Sequence, residues 1–130
     1  MTAKQVLVVD DNPLSRKLLN DILSAEGYSV RLAASGSEAL NAIAKEPPDA
    51  ILLDIMMPGM DGFEVVRRLK ADKHIFLPPI IMVSALDDEG SSARLAAAGI
   101  NAMLTKPIDR WELCSLLTRM LSESPEKTYE

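Results

Sequence analysis

Apolar and polar positions along the chain alternate between short continuous runs and longer helical repeats. Residues 5–10, QVLVVD, form a valine-rich apolar run, as a strand buried on both faces requires. From 11 to 28 the period changes. Leu18, Leu19, Ile22 and Leu23 recur at helical spacing, Asp11 or Asn12 can cap the start, Pro13 suits the first turn and Gly27 supplies a stop. Residues 28–34, YSVRLAA, alternate more and predict an edge strand. Ser35 and Glu38 have capping-box spacing and open a second helix, which Pro47 and Pro48 end.

DAILLD, 49–54, is the third strand. After the loop IMMPGM a third helix starts with Asp61 and Glu64, again a capping-box pair. PIIMVSA, 79–85, is the fourth strand. Residues 86–99 predict a weak helix, lowered in propensity by Gly90, Ser91 and Ser92 and capped by Gly99. NAMLTKP, 101–107, is the fifth strand, and 108–122 the last helix, with Asp109 and Glu112 at capping spacing. This strict alternation implies an α/β fold: a doubly wound five-stranded parallel sheet with right-handed crossovers and helices on both faces. Its ligands bind beyond the carboxyl ends of the strands, where strand order reverses.

The chain's 130 residues suffice for one domain with one sizeable core. That domain is expected over 1–122, with 123–130 a polar, frayed tail or the start of a linker. A formal net charge of −5 without a basic stripe argues against direct nucleic-acid binding. Cys114, the one cysteine, cannot form an internal disulfide. No apolar run approaches the roughly 18 residues of a membrane span, and MTAKQ leads straight into a strand with no room for a signal peptide. A cytoplasmic, non-membrane domain is the expectation.

The chemistry gathers at the strand ends. The first strand runs into Asp10 and Asp11, the third into Asp54, the fourth into Ser84 and the fifth into Lys106 followed by Pro107. Each has an ordinary use: a helix start for Asp10 and Asp11, a turn for Asp54, a cap for Ser84, a solvated loop for Lys106. Together they put three carboxylates, a hydroxyl and an ammonium at one edge of the sheet. Crowded carboxylates repel unless a cation intervenes, and an oxygen-only donor set suits a hard ion such as Mg²⁺. With that ion bound, one carboxylate can attack phosphorus while Lys106 neutralises a phosphoryl oxygen and Ser84 donates a hydrogen bond. Asp54, closing an apolar strand, is the best placed nucleophile. The glycines of PGMDG, Gly59 and Gly62, would take positive φ to turn the chain away.

VLVVDDN, ILLDIMMPGMDG, IIMVSA and AMLTKP, in that order and spacing, resemble the motifs of response regulator receiver domains in two-component signalling, and the match runs from Val6 to about Leu121. The resemblance implies a flavodoxin-like strand order 2-1-3-4-5 and a cis peptide between Lys106 and Pro107. It implies Asp54 as phosphoacceptor and a Mg²⁺ site of Asp11, Asp54 and the Met56 carbonyl, with Asp10 acting largely through water. Ser84 and Lys106 would then meet the phosphoryl group. A histidine kinase or histidine phosphotransferase would donate it. The output face would be the fourth helix, fifth strand and fifth helix, meeting a downstream protein, a fused output domain or a second receiver.

The chain departs from that family at Met103, where most members have tyrosine or phenylalanine. A flexible methionine predicts coupling through the loop before the fourth helix rather than through a ring flip. Met56 and Leu86, apolar and flanking the site, cannot orient an attacking water, which predicts slow self-dephosphorylation. His74 is read as a surface loop residue, Cys114 as a small buried apolar one, and Trp111 as either a partner contact or partly packed. Three alternatives remain. A haloacid-dehalogenase-like phosphatase would need an aspartate at Asn12, two residues past the first-strand aspartate. A flavodoxin would meet repulsion between Asp10, Asp11 and its cofactor's phosphate. A receiver that is never phosphorylated would serve only for docking.

Overall fold

The computed structural model describes residues 3–85, 89–100 and 102–122. Five strands, β1 (Gln5–Val9), β2 (Ser29–Ala33), β3 (Ala50–Asp54), β4 (Ile80–Ser84) and β5 (Ala102–Thr105), alternate with five helices. These are α1 (Pro13–Ala25), α2 (Gly36–Lys45), α3 (Gly62–Ala71), α4 (Glu89–Ala97) and α5 (Arg110–Ser122). Every strand pairing is parallel, in the order β2-β1-β3-β4-β5. The sequence-based strands overrun these bounds by a residue or two, and the start of the expected fourth helix, Leu86 to Asp88, lies outside the described residues.

The strand parity that made the apolar runs continuous divides the core in two. Leu7, Ile51, Leu53 and Met82 face Ile43 of α2, Val65 and Leu69 of α3 and Leu95 of α4. Val6, Val8, Leu52, Ile81 and Leu104 face Leu19 and Leu23 of α1 and Leu113 and Leu117 of α5. Both faces of β1, β3 and β4 are thus covered, which only unbroken aliphatic runs can satisfy. β2 is a half-exposed edge strand, as its alternation predicts.

The caps show which polar residues are engaged locally. Asn12, not Asp11, caps α1, its side chain accepting from the N–H groups of Leu14 and Ser15. α1 and α4 end at Gly27 and Gly99 with paired closing bonds, Tyr28 N–H to the Leu23 carbonyl and Ile100 N–H to the Leu95 carbonyl. Ser35 accepts from Glu38 N–H, while the Glu38 carboxylate reaches Ala34 N–H. At α3 the expected capping box is only half made. Asp61 accepts from Glu64 N–H, but the Glu64 carboxylate turns outward to Arg67 and Arg68. Two charged donors at helical spacing outcompete one backbone amide.

Among the described residues no helix is long and apolar enough to cross a membrane. Trp111 is 79% exposed and His74 stands exposed in its loop. Cys114 is only half-buried, packed at the edge of the α1–α5 core rather than within it.

Candidate phosphoacceptor and metal site

Order reverses between β1 and β3, and the carboxyl ends of these strands carry the acidic groups. Asp10 follows β1 and is 1% exposed. Its N–H donates to the Ala33 carbonyl, its Oδ1 accepts from Asn12 N–H at 2.9 Å and its Oδ2 accepts from Lys106 Nζ at 3.1 Å. Asp54 ends β3 and is 4% exposed. Its Oδ2 lies 3.4 Å from Lys106 Nζ, and its Oδ1 accepts from Met56 N–H at 3.4 Å. Asp11 is exposed, yet one carboxylate oxygen from each of Asp10, Asp11 and Asp54 lies within 4.8 Å of the others.

The opposite edge of the site comes from β4 and β5. Ser84 ends β4, buried, and its carbonyl accepts from Lys106 N–H at 2.8 Å. That bond continues the β4–β5 ladder one residue past Ser84 and Thr105, and so sets where Lys106 starts. The Lys106–Pro107 peptide is cis. The lysine side chain then spans back to the two buried carboxylates.

Electrostatics follow from one cation among three carboxylates. Burial, opposed by Lys106 and reinforced by the Asp10 charge, pushes the Asp54 carboxyl up to about 6. Burial would lower the Lys106 ammonium, but the Asp10 hydrogen bond and the charges on Asp54 and Asp10 outweigh it and raise its pKa. Three oxygen donors that crowd together, short of positive charge, fit a hard divalent ion that keeps part of its water shell.

The loop after β3 holds a correction. Gly59 has φ +79°, but Gly62 does not lie at positive φ. Its glycine is needed for space: a Cβ there would stand 2.7 Å from the Asp54 carbonyl oxygen and 3.0 Å from Ile55 Cα. Gly62 N–H also donates to the Ile55 carbonyl at 2.9 Å, which seats the start of α3 directly under the Asp54 backbone. Arg16, which the sequence did not single out, donates from Nη1 to the Asp10 carbonyl at 2.8 Å. It flanks the buried stripe of α1, one turn before Leu19, and spacing along the helix gave no sign of this reach. Met56 is 60% exposed beside the site; Leu86 lies outside the described residues.

The response regulator receiver domain family matches residues 6–118. The chain belongs to this family. As a receiver domain of two-component signalling it is 46% identical to the response regulator PleD of Caulobacter vibrioides over 105 residues, 81% of this chain but 23% of PleD. It is 39% identical to the polar-differentiation response regulator DivK of Brucella ovis over 105 residues, 81% of this chain and 85% of DivK. The receiver domain of the sensor histidine kinase PA1611 of Pseudomonas aeruginosa superposes with a TM-score of 0.84 at 32% identity. That comparison covers 93% of this chain and 99% of the other, whose structure has magnesium coordinated in its active-site cleft.

Proposed function

We propose that this receiver is a phosphorylation-controlled switch in which Asp54 accepts a phosphoryl group from a phosphohistidine donor. The observation that carries the reading is the convergence of three carboxylate oxygens within 4.8 Å, with Lys106 bridging the two buried ones, at the strand ends of a receiver fold. Asp10, Asp11, Asp54 and the Met56 carbonyl would hold Mg²⁺, which supplies charge screening between a carboxylate nucleophile and phosphoryl oxygens. The rigid, buried β3 holds the Asp54 carboxylate in place. An Asp54 oxygen forms the O–P bond as the donor's P–N bond breaks, and the electron pair returns to the donor imidazole. Lys106 and Ser84 then take phosphoryl oxygens, contacts that exist only in the modified state. They shift a two-state equilibrium by their differential energy, on the order of a few kcal/mol.

The chain catalyses its own modification and loss of it, without turnover of a separate substrate. A phosphatase reading is weakened by Asn12, whose side chain is committed to capping α1. The donor would be a histidine kinase or histidine phosphotransferase in the cytoplasm. The face of α4, β5 and α5 would meet a downstream protein, a fused output domain or a second receiver. The functional unit would span 1–122, followed by a tail or linker.

Intact mass after incubation with acetyl phosphate and Mg²⁺ tests this directly. Wild type gains one phosphoryl group; Asp54→Asn, or wild type in chelator, gains none. A wild-type chain that never gains mass would leave only a docking role.

A further inference from the structure

The peptide between Asp10 and Asp11 joins the most firmly held carboxylate of the cluster to its exposed one. Asp10 is fixed at its N–H by Ala33, at Oδ1 by Asn12 N–H and at Oδ2 by Lys106. The Asp11 side chain is exposed, and among the described residues no hydrogen bond or ion pair holds it. A trans peptide is a rigid plane, so the direction of the Asp10 carbonyl also fixes the Asp11 N–H and, through the Asp11 Cα, where that side chain can reach. The Asp10 carbonyl is gripped by Arg16 Nη1 at 2.8 Å. Arg16 is itself anchored on α1, where its N–H donates to the Asn12 carbonyl at 3.0 Å, and its side chain is half-buried. A charged donor to a carbonyl is among the stronger hydrogen bonds available to the loop.

Resting on the reading of the acidic cluster as a Mg²⁺ site, we propose that Arg16 is a positioning residue: by holding the Asp10 carbonyl it orients the Asp10–Asp11 peptide and presents the Asp11 carboxylate to the cation. It touches neither the ion nor the phosphoryl group. Its effect therefore falls on cation affinity more than on the fold, since the core beneath the loop is built from aliphatic side chains of β1, α1 and α5.

The test compares Arg16→Met, which keeps the aliphatic stem and removes the donors, with Arg16→Lys, which restores one charged donor. Mg²⁺ affinity is measured by calorimetric titration, and thermal unfolding is followed without metal. The expected result is a Mg²⁺ Kd raised about tenfold or more in Arg16→Met, the range for outer-shell support of a metal site. Arg16→Lys should recover part of the loss, and the metal-free melting temperature should stay close to wild type in both. An Arg16→Met chain that binds Mg²⁺ within a factor of two of wild type overturns the proposal while leaving the site reading intact. So does a weakened affinity matched by an equal loss of metal-free stability that lysine does not repair. Wild type that binds no Mg²⁺ at all sinks the site reading and this inference together.

Discussion

Burial raises the Asp54 carboxyl to about 6, from 3.8 in an exposed aspartate, so at neutral pH the folded chain holds an anion that water would solvate better. A raised carboxyl pKa means that the folded state binds the proton more tightly than the unfolded state. The ionisation penalty is therefore full above about pH 6, and it fades as pH falls toward 3.8. Two pKa steps correspond to about 3 kcal/mol at most. Asp54→Asn removes that penalty and should stabilise the metal-free chain by 1 to about 3 kcal/mol at pH 7.5, with only about a third of that gain at pH 4.5. Urea unfolding at the two pH values checks this, and an equal gain at both would show that the charge is not the cause. Adding Mg²⁺ should close the gap at pH 7.5, because only the wild type keeps the full carboxylate set and so gains the full binding energy. Burial thus makes the Asp54 charge costly at the very position the proposed phosphoacceptor role requires.

At the scale of elements, Gly62 couples α3 to the strand that carries Asp54. Gly62→Ala places a methyl 2.7 Å from the Asp54 carbonyl oxygen, against backbone that cannot yield as a side-chain tip would. A loss of about 1–3 kcal/mol in chemical denaturation is expected, together with slower phosphoryl uptake from acetyl phosphate as the end of β3 is displaced. Unchanged uptake in a destabilised chain would separate the packing from the site. The PGMDG motif made a turn legible but attached the wrong reason to Gly62, since sequence shows which residue lacks a Cβ and not what occupies that space. The strands were legible because burial on both faces favours short unbroken aliphatic runs such as QVLVVD and AILLD. The convergence of the three carboxylates and Lys106 was legible because parallel topology brings the ends of β1, β3, β4 and β5 to one edge. Arg16 and the outward turn of Glu64 were not, because long cationic side chains choose partners by three-dimensional reach, which spacing along one helix does not encode.

For the whole molecule, the proposed switch is defined by how the modified state spreads and how long it lasts. Met103 sits in the middle of edge strand β5, half-buried beside the α2–α4 core, without the single pivot a ring provides. Arg94 of α4 meanwhile lies 4.0 Å from the Phe63 ring centroid, tying α4 to α3. Phosphorylation-induced amide shifts in α4 should therefore persist in Met103→Ala; their loss with phosphorylation intact would make Met103 the relay. Duration depends on water. An acyl phosphate at Asp54 is hydrolysed when a water is aligned opposite the bond to be broken, and a side chain able to hydrogen-bond that water speeds the step. Met56, two residues from Asp54 and 60% exposed, offers only a thioether and a methyl to that approach. The phosphorylated chain in Mg²⁺ buffer should accordingly last minutes or longer, and Met56→Asn should shorten its lifetime severalfold by supplying an amide to hold the water. Loss of label within seconds in the wild type would mean that another group orients the water. A methionine-to-asparagine change without effect would mean that access, rather than alignment, limits hydrolysis.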